Sequence, residues 1–281
     1  MKPPPFRYVR PGSIDEVLQL LGEHGDEAKV LAGGQSLVPL LNFRLARPSV
    51  LIDLALVGSL RGIERRNGTL AIGAMTRQRV AEVSEEVRET APLIPQALAW
   101  VGHLQNRNRG TVGGSIAHAD PAAELPAVAL ALDAELVVRG AGGERVLPAS
   151  TFFDGPFTTV LAPDELLTEI RFPVIRGART TFIELARRSG DFALAGVAAV
   201  NRGAADDADV VLAAMGVGGS AVRLPDAEAV VRGRELTDQV MRDAGEAASA
   251  AVDPPTDVHA DSGYRRELLG VLIRRALLKV A

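Results

Sequence analysis

VLAGGQSLVPLL, residues 30–41, and RGTVGGSIAHADPAAE, residues 109–124, each set a Gly-Gly pair and a polar residue beside an apolar segment. The chain shows no other sign of internal repetition. Lys29–Ala32 reads as a strand, and Leu37, Leu40 and Leu41 have helical spacing. A strand that runs through glycines into a helix start gathers free backbone N–H groups at the positive end of a dipole, where glycine lets phosphate oxygens approach the main chain. Gln35 and Ser36 add side-chain donors. One such pair is ordinarily a strand–helix turn. The second pair, in Gly110-Thr-Val-Gly-Gly-Ser115, changes the reading: two such loops can clamp the two phosphates of a dinucleotide from opposite sides. Neither is a Walker A loop, because no Gly-Lys-Ser/Thr follows.

Outward from these segments the pattern mixes short strands, hairpins and helices. Phe6–Val9 reads as a strand, and Ser13–Glu16 has the capping-box pattern that opens a helix closed by Gly25. Val50–Leu54 is strand-like. Ile63–Arg66 and Thr69–Ile72 flank Asn67-Gly68, a strong hairpin signal. Arg77–Leu104 is mainly helical, interrupted at Pro92 and Pro95. Ala122–Leu132 reads as a buried helix, followed by strands at Ala134–Arg139, 145–147 and Leu166–Phe172. After a boundary at 174–179 come strands Thr180–Leu185, Ala193–Asn201 and Val210–Met215, then two helices, Ala227–Val231 and Tyr264–Val280. The fold class expected is α+β, not a doubly wound parallel sheet.

Composition narrows the chemistry. Of 281 residues, 47% are apolar, enough for a large core; net charge is −4 with both signs scattered, which argues against nucleic acid as partner. There is no cysteine, which excludes disulfides, thiol nucleophiles, thiolate zinc sites and an iron–sulfur cluster ligated by this chain. No apolar run approaches the ~18 residues of a membrane helix, and the N-terminus lacks a signal-peptide core, so no integral membrane segment and a cytoplasmic location are expected.

Other motifs read as ordinary structure. Gly216-Val-Gly-Gly-Ser-Ala221 matches GxGxxA, but the helix that a dinucleotide fingerprint requires starts only after Pro225, so a bent strand is expected. His118-Ala-Asp120 has no third ligand in metal-site spacing; a surface or hydrogen-bonding histidine is expected. Arg187–Asp191 reads equally as a charged turn or as a loop meeting an anionic ligand or another subunit. From the residues alone the chain is a soluble two-domain α+β protein with a dinucleotide pyrophosphate on two glycine loops.

AGGQSLVPLLNFRLARP and QNRNRGTVGGSIAHADPAAELPA resemble the FAD-binding medium subunit of molybdenum hydroxylases, the family of carbon monoxide dehydrogenase medium subunits and the FAD domain of xanthine dehydrogenase. The resemblance continues through LAPDELLTEIRFP (161–173), ARRSGDFALAGVAA (186–199) and GVGGSAVRLPDAEAVVRG (216–233). It implies a two-part FAD-binding domain of the vanillyl-alcohol-oxidase type over 1–175, with subdomains of about 1–55 and 56–175, and a carbon monoxide dehydrogenase flavoprotein C-terminal-like domain over 176–281.

By the same resemblance Ala32, Gly33, Gly34, Gln35, Ser36 and Leu37, with Thr111, Val112, Gly113, Gly114 and Ser115, bracket the FAD pyrophosphate. Val101, Gly102, Glu124 and Leu167 fall at cofactor-lining positions, and Asp191 and Phe192 lie near the isoalloxazine. No residue of this chain is expected to be catalytic or to bind metal. Departures are Gln35 where many relatives have His, Ser115 where they have Asn, Asn106 where an apolar residue is usual, and Glu184 in a stretch where many carry Lys. The implied role is electron relay. Substrate is oxidised at a molybdenum cofactor on a large molybdopterin-binding subunit, and electrons pass through 2Fe-2S clusters on a small subunit to FAD here, then to an external acceptor such as NAD or a quinone. The assembly implied is a dimer of heterotrimers. A stand-alone flavoprotein oxidoreductase of the same fold and a non-catalytic assembly scaffold are the alternatives.

Overall fold

Ser13 starts the first helix. In the computed structural model, which describes residues 2–204 and 206–281, β1 (Arg7–Val9) leads into α1 (Ile14–His24). The Ser13 hydroxyl accepts from Glu16 N, while the Glu16 carboxylate accepts from Gly12 N at 2.7 Å, one residue earlier than in a strict capping box. β2 (Ala28–Leu31), α2 (Leu37–Asn42) and β3 (Val50–Asp53) complete a small parallel sheet in the order β1-β3-β2. Val17 and Leu21 of α1 bury against Val50 and Ile52. Each such side chain, fully buried, contributes about 1.5–3 kcal/mol. Because the strands are parallel, Val9, Leu31 and Asp53 end at one edge, and residues 32–36 leave from it.

β4 (Ile63–Arg66) and β5 (Thr69–Gly73) form the expected hairpin, with Asn67 and Gly68 both at positive φ, as a type I′ turn requires. Four short helices follow: α3 (Gln78–Val83), α4 (Glu85–Thr90), α5 (Leu93–Leu98) and α6 (Leu104–Arg109). The breaks differ from those expected. Pro92 caps α5, but Pro95 lies in its first turn, where a missing N–H leaves no helical bond unmade, and the helix runs through it. Ser84 supplies another break by accepting from Val87 N.

The second glycine segment is not a loop. Thr111 caps α7 (Val112–His118), so Gly113 and Gly114 sit in the helix's first turn. α8 (Glu124–Ala131) is buried at every residue from Leu125 to Ala131. β6 (Glu135–Gly140), β7 (Gly143–Pro148), the small hairpin β8 (Phe153–Gly155) and β9 (Thr158–Thr159), and β10 (Leu166–Pro173) follow. β4, β5, β10, β6 and β7 make an antiparallel sheet in that order.

β11 (Arg179–Ala186), β12 (Ala193–Asn201), β13 (Val210–Met215) and β14 (Val222–Arg223) form a second antiparallel sheet. Every residue of β12 and β13 is buried, because α8 covers one face and α9 (Pro225–Val231), α10 (Asp238–Ala250) and α11 (Ser262–Val280) cover the other. α10 is additional to the two C-terminal helices expected. Its buried stripe of Val240, Met241, Ala244, Gly245 and Ala248 is mostly small residues, and Gly245 lets it press on Gly270 of α11. Gly216–Ala221 forms the turn between β13 and β14 where a bent strand was expected, and α9 opens on Pro225. The central hydrophobic cluster joins Leu125, Val128 and Phe152 to Phe182, Ala198 and Met215, so the C-terminal sheet shares a core with α8.

Candidate functional site

The chain leaves β2 at Leu31 and turns through Gly33 and Gly34, the latter at φ +73, into α2. The N–H groups of Gly33, Gly34, Gln35 and Ser36 find no acceptor among the described residues. Four successive free donors flank a left-handed glycine at the carboxyl edge of a parallel sheet, a donor set of the kind that can take an anion.

The second segment behaves differently. Val112 N donates to Thr76 O, Gly113 N to Ala74 O, Gly114 N to Thr111 Oγ1 and Ser115 N to Thr111 O. Its first-turn donors are therefore already satisfied. Its glycines serve close approach: a Cβ on Gly113 would lie 2.6 Å from Ala74 Cα, and one on Gly110 would lie 2.5 Å from Gln78 Oε1. Gly33 has the same need, since its Cβ would lie 2.5 Å from Arg109 O and 2.7 Å from Gly110 Cα. Ala32 in turn faces Gly114. The two segments thus touch side by side, where the sequence suggested jaws closing from opposite sides.

Side chains fasten this junction. Gln35 Nε2 donates to Gly33 O, and Asn106 Nδ2 donates to Gln35 Oε1, each at 3.3 Å. Asn106 Oδ1 accepts from His103 N, and Gly102, at φ +44, leaves room for that side chain. Gln35 and Asn106, two separate departures from the family pattern, are therefore partners. Arg107 Nη1 donates to the carbonyls of Val101 and Gly102, while its Nε and Nη2 bind both oxygens of Glu82. Arg77, which nothing in the sequence marks, donates to Arg109 O. Burial, with Arg109 and Arg61 nearby, lowers its pKa.

The other residues expected at the cofactor lie on several elements. Gly190, at φ +89, packs against the His103 ring, bringing the 187–192 loop to residues 101–106. In that loop Asp191 lies 3.8 Å from Arg187, and Phe192 is 72% exposed. Leu167, on β10 opposite Val138, belongs to the central cluster. Glu124 opens α8; burial pushes its carboxyl up to about 7, with Asp120 adding to the rise and a backbone hydrogen bond and Arg107 opposing it. His118 is half-buried and packs on Phe157 with ring centroids 5.2 Å apart. A surface concavity of about 470 Å³ lies along α3–α5; it includes Glu82, the partner of Arg107, and none of the residues expected at the cofactor.

Residues 4–175 match the family described as "FAD binding domain in molybdopterin dehydrogenase". The chain belongs to that family. Residues 180–280 match a second family, "CO dehydrogenase flavoprotein C-terminal domain". It is 40% identical to the 6-hydroxypseudooxynicotine dehydrogenase complex subunit alpha of Paenarthrobacter nicotinovorans, over 99% of this chain and 95% of that one. It is 37% identical to the carbon monoxide dehydrogenase medium chain of Hydrogenophaga pseudoflava, over 99% and 97%. A solved structure of carbon monoxide dehydrogenase from that organism superposes with a TM-score of 0.98 at 38% identity, covering 100% of this chain and 98% of that one. The flavoprotein is thus the medium, FAD-carrying type of oxidoreductase subunit in the molybdenum hydroxylase family. Among the described residues no helix is long and apolar enough to cross a membrane.

Proposed function

We propose that this chain is the electron-transfer subunit of a three-component molybdenum hydroxylase. It takes electrons from 2Fe-2S clusters of a small partner and delivers them to an external acceptor, NAD or a quinone, while a large molybdopterin-binding subunit oxidises the substrate. The assembly we infer is a dimer of heterotrimers. Bound FAD supplies a carrier that can be filled and emptied one or two electrons at a time. The chain's own residues bind and orient it.

The observation that carries this reading is the row of four unpaired N–H groups at Gly33–Ser36, a donor set suited to a pyrophosphate. Ala32 to Leu37 form the cradle. Thr111 to Ser115 hold it in place through close packing and present the hydroxyls of Thr111 and Ser115 beside it. Val101, Gly102, Glu124, Leu167, Asp191 and Phe192 line the flavin end. The relatives named as a complex subunit and as a medium chain support a multi-subunit setting. The absence of cysteine from the sequence supports clusters held elsewhere.

Reconstitution with FAD, read by the visible flavin absorbance and by co-purification with co-expressed neighbouring subunits, tests the proposal. Stoichiometric flavin and a three-chain complex are expected. Failure to bind FAD even in the presence of partners would overturn it, and turnover of an oxidisable substrate by the isolated chain would favour a stand-alone oxidoreductase.

A further inference from the structure

Arg77 stands in extended backbone just before α3, and an isolated antiparallel bridge pairs it with Thr111. Val112 N donates to Thr76 O at 3.0 Å and Gln78 N to Gly110 O at 2.9 Å, so Arg77 and Thr111 are a non-hydrogen-bonded pair. In such a pair the Cα atoms come within about 4.5 Å and both side chains leave on the same face. Thr111 shows which face that is. Its hydroxyl caps Gly114, and a Cβ on Gly114 would lie 3.3 Å from Ala32 Cβ, so the face looks onto the 32–36 segment. Arg77 Nη1 donates to Arg109 O, the same oxygen that lies 2.5 Å from the Cβ position of Gly33. A hydrogen bond to that oxygen puts Nη1 within about 6 Å of the Gly33 Cβ position.

One carbonyl accounts for one of the five N–H groups of the guanidinium, which stays protonated at any ordinary pH. Arg77 makes no other side-chain hydrogen bond and no ion pair among the described residues. The charges around it are mostly of its own sign. Arg109 adjoins it, and Arg61, which donates to Ala55 O at 2.6 Å, lies nearby. The carboxylate in range is Asp53, at the end of β3, and it is already taken. Its Oδ2 accepts from the Tyr8 hydroxyl and lies 3.7 Å from Arg10 Nε, while its Oδ1 accepts from Ala55 N. Burial, then Arg109 and Arg61, lower the pKa of Arg77, and Asp53 opposes them. A half-buried cation among cations costs the fold free energy that a neighbouring anion would offset. Beside it lie the four free N–H groups of Gly33–Ser36, which supply dipoles and no net charge.

We propose that Arg77 is a ligand of the FAD pyrophosphate, its free guanidinium N–H groups and its charge completing the donor set of the 33–36 turn. The proposal rests on the FAD-binding role of the chain. An arginine suits the task because its planar fork can hold a backbone carbonyl with one nitrogen and a phosphate oxygen with another. The first-turn N–H groups of the second glycine segment are all satisfied within the chain. That segment thus contributes to the site through the side chain it positions: Thr111 is the bridge partner of Arg77, and Arg109 O is its anchor.

R77Q and R77K test this in the full-length chain, alone and co-expressed with its neighbouring subunits. In FAD titrations followed by flavin fluorescence, R77Q should bind roughly tenfold more weakly than the wild type, as for loss of one charge-assisted hydrogen bond, with R77K between the two. Added salt should weaken FAD binding by the wild type and R77K more steeply than by R77Q, because the glutamine carries no charge to be screened. A residue that merely braces Arg109 O would not move that salt dependence. Inorganic pyrophosphate, a probe without flavin, should raise the thermal midpoint of the wild type and raise that of R77Q less. R77M, which keeps the apolar stem, takes the place of R77Q if the glutamine variant does not fold. Equal FAD affinities and salt dependence in wild type and R77Q, or an equal pyrophosphate effect, overturn the role of Arg77. A wild type that binds pyrophosphate through Arg77 but no FAD, even with partners present, overturns the FAD reading and keeps Arg77 as an anion ligand.

Discussion

Replacing Gly33 with alanine separates two reasons for a glycine beside a phosphate. Gly33 does not have positive φ, so its backbone conformation is open to any residue. The obstacle is space. The new methyl would meet Arg109 O at 2.5 Å and Gly110 Cα at 2.7 Å, both backbone atoms that cannot rotate away, where ordinary contact begins at 3.4 Å. The 32–36 segment must therefore move roughly 0.9 Å from the Arg109–Gly110 backbone, which takes the cradle with it. Such overpacking costs about 1–3 kcal/mol, and the stiffer unfolded chain adds a further loss of flexibility that returns about 0.4–1 kcal/mol of stability. The net expectation is a loss of about 1–2 kcal/mol in the FAD-free protein, seen as a lower urea midpoint with unchanged slope. FAD affinity should fall by tenfold or more in addition, because the four donors no longer converge. Gly34→Ala is the control: its Cβ meets only the side-chain ends of Leu31 and Val38, at 3.2 Å, and its cost of about 1–2 kcal/mol comes from the left-handed backbone. If Gly33→Ala abolished FAD binding while leaving the FAD-free stability at the wild-type value, contact between the two segments would not be what demands the glycine.

Three further outcomes follow from the same contacts. Thr111→Ala removes the hydroxyl that accepts Gly114 N and should cost about 1 kcal/mol in denaturant unfolding, largely restored by Thr111→Ser. Glu184 has a folded pKa raised from 4.5 to about 8, so the stability it contributes is present below the unfolded value and lost as pH rises through the folded one. E184Q should therefore gain on the wild type as pH rises from about 4.5 to about 8 and keep that gain above it, by at most about 5 kcal/mol since each unit is about 1.4; parallel unfolding curves at acid and alkaline pH would contradict this. Arg265→Met strands the carbonyls of Leu194 and Gly216 in the core and should destabilise the chain by about 2–4 kcal/mol, whereas Asp257 remains solvated. Thermal unfolding that matches the wild type would show those carbonyls finding other donors.

Local chemistry made much of the fold readable. Asn67-Gly68 names its own turn, because only residues tolerant of positive φ fit there, and the all-apolar runs at 193–200 and 210–215 announce strands covered on both sides. α10 was hidden because Ala244, Gly245 and Ala248 give a weak apolar stripe, and its stability comes from close approach to Gly270. α7 was hidden because its glycines outweigh Val112 and Ile116, which hold it down only once a core exists to receive them. At the site, the glycine motifs were legible and their mechanics were not. Whether a glycine spares room for a ligand or for another strand of backbone depends on what lies above it, which only the fold decides. The same holds for Arg77, whose partner is a carbonyl.

The two departures at Gln35 and Asn106 show how such dependence alters a reading. Taken singly, Gln35 replaces one polar group with another and Asn106 places a polar side chain where an apolar one is usual; neither has a reason. Together they have one. Gln35 spans from Gly33 O to Asn106, and Asn106 spans from Gln35 to His103 N, so a single amide chain links the cradle, the start of α6 and, through the His103 ring against Gly190, the loop leading back to Glu184. The 33–36 turn and the 187–192 loop are thereby held in one frame. An apolar side chain at 106 would leave Gln35 Oε1 and His103 N without these partners. The two side chains act as partners, so in denaturant unfolding a double replacement should cost less than the sum of the single ones.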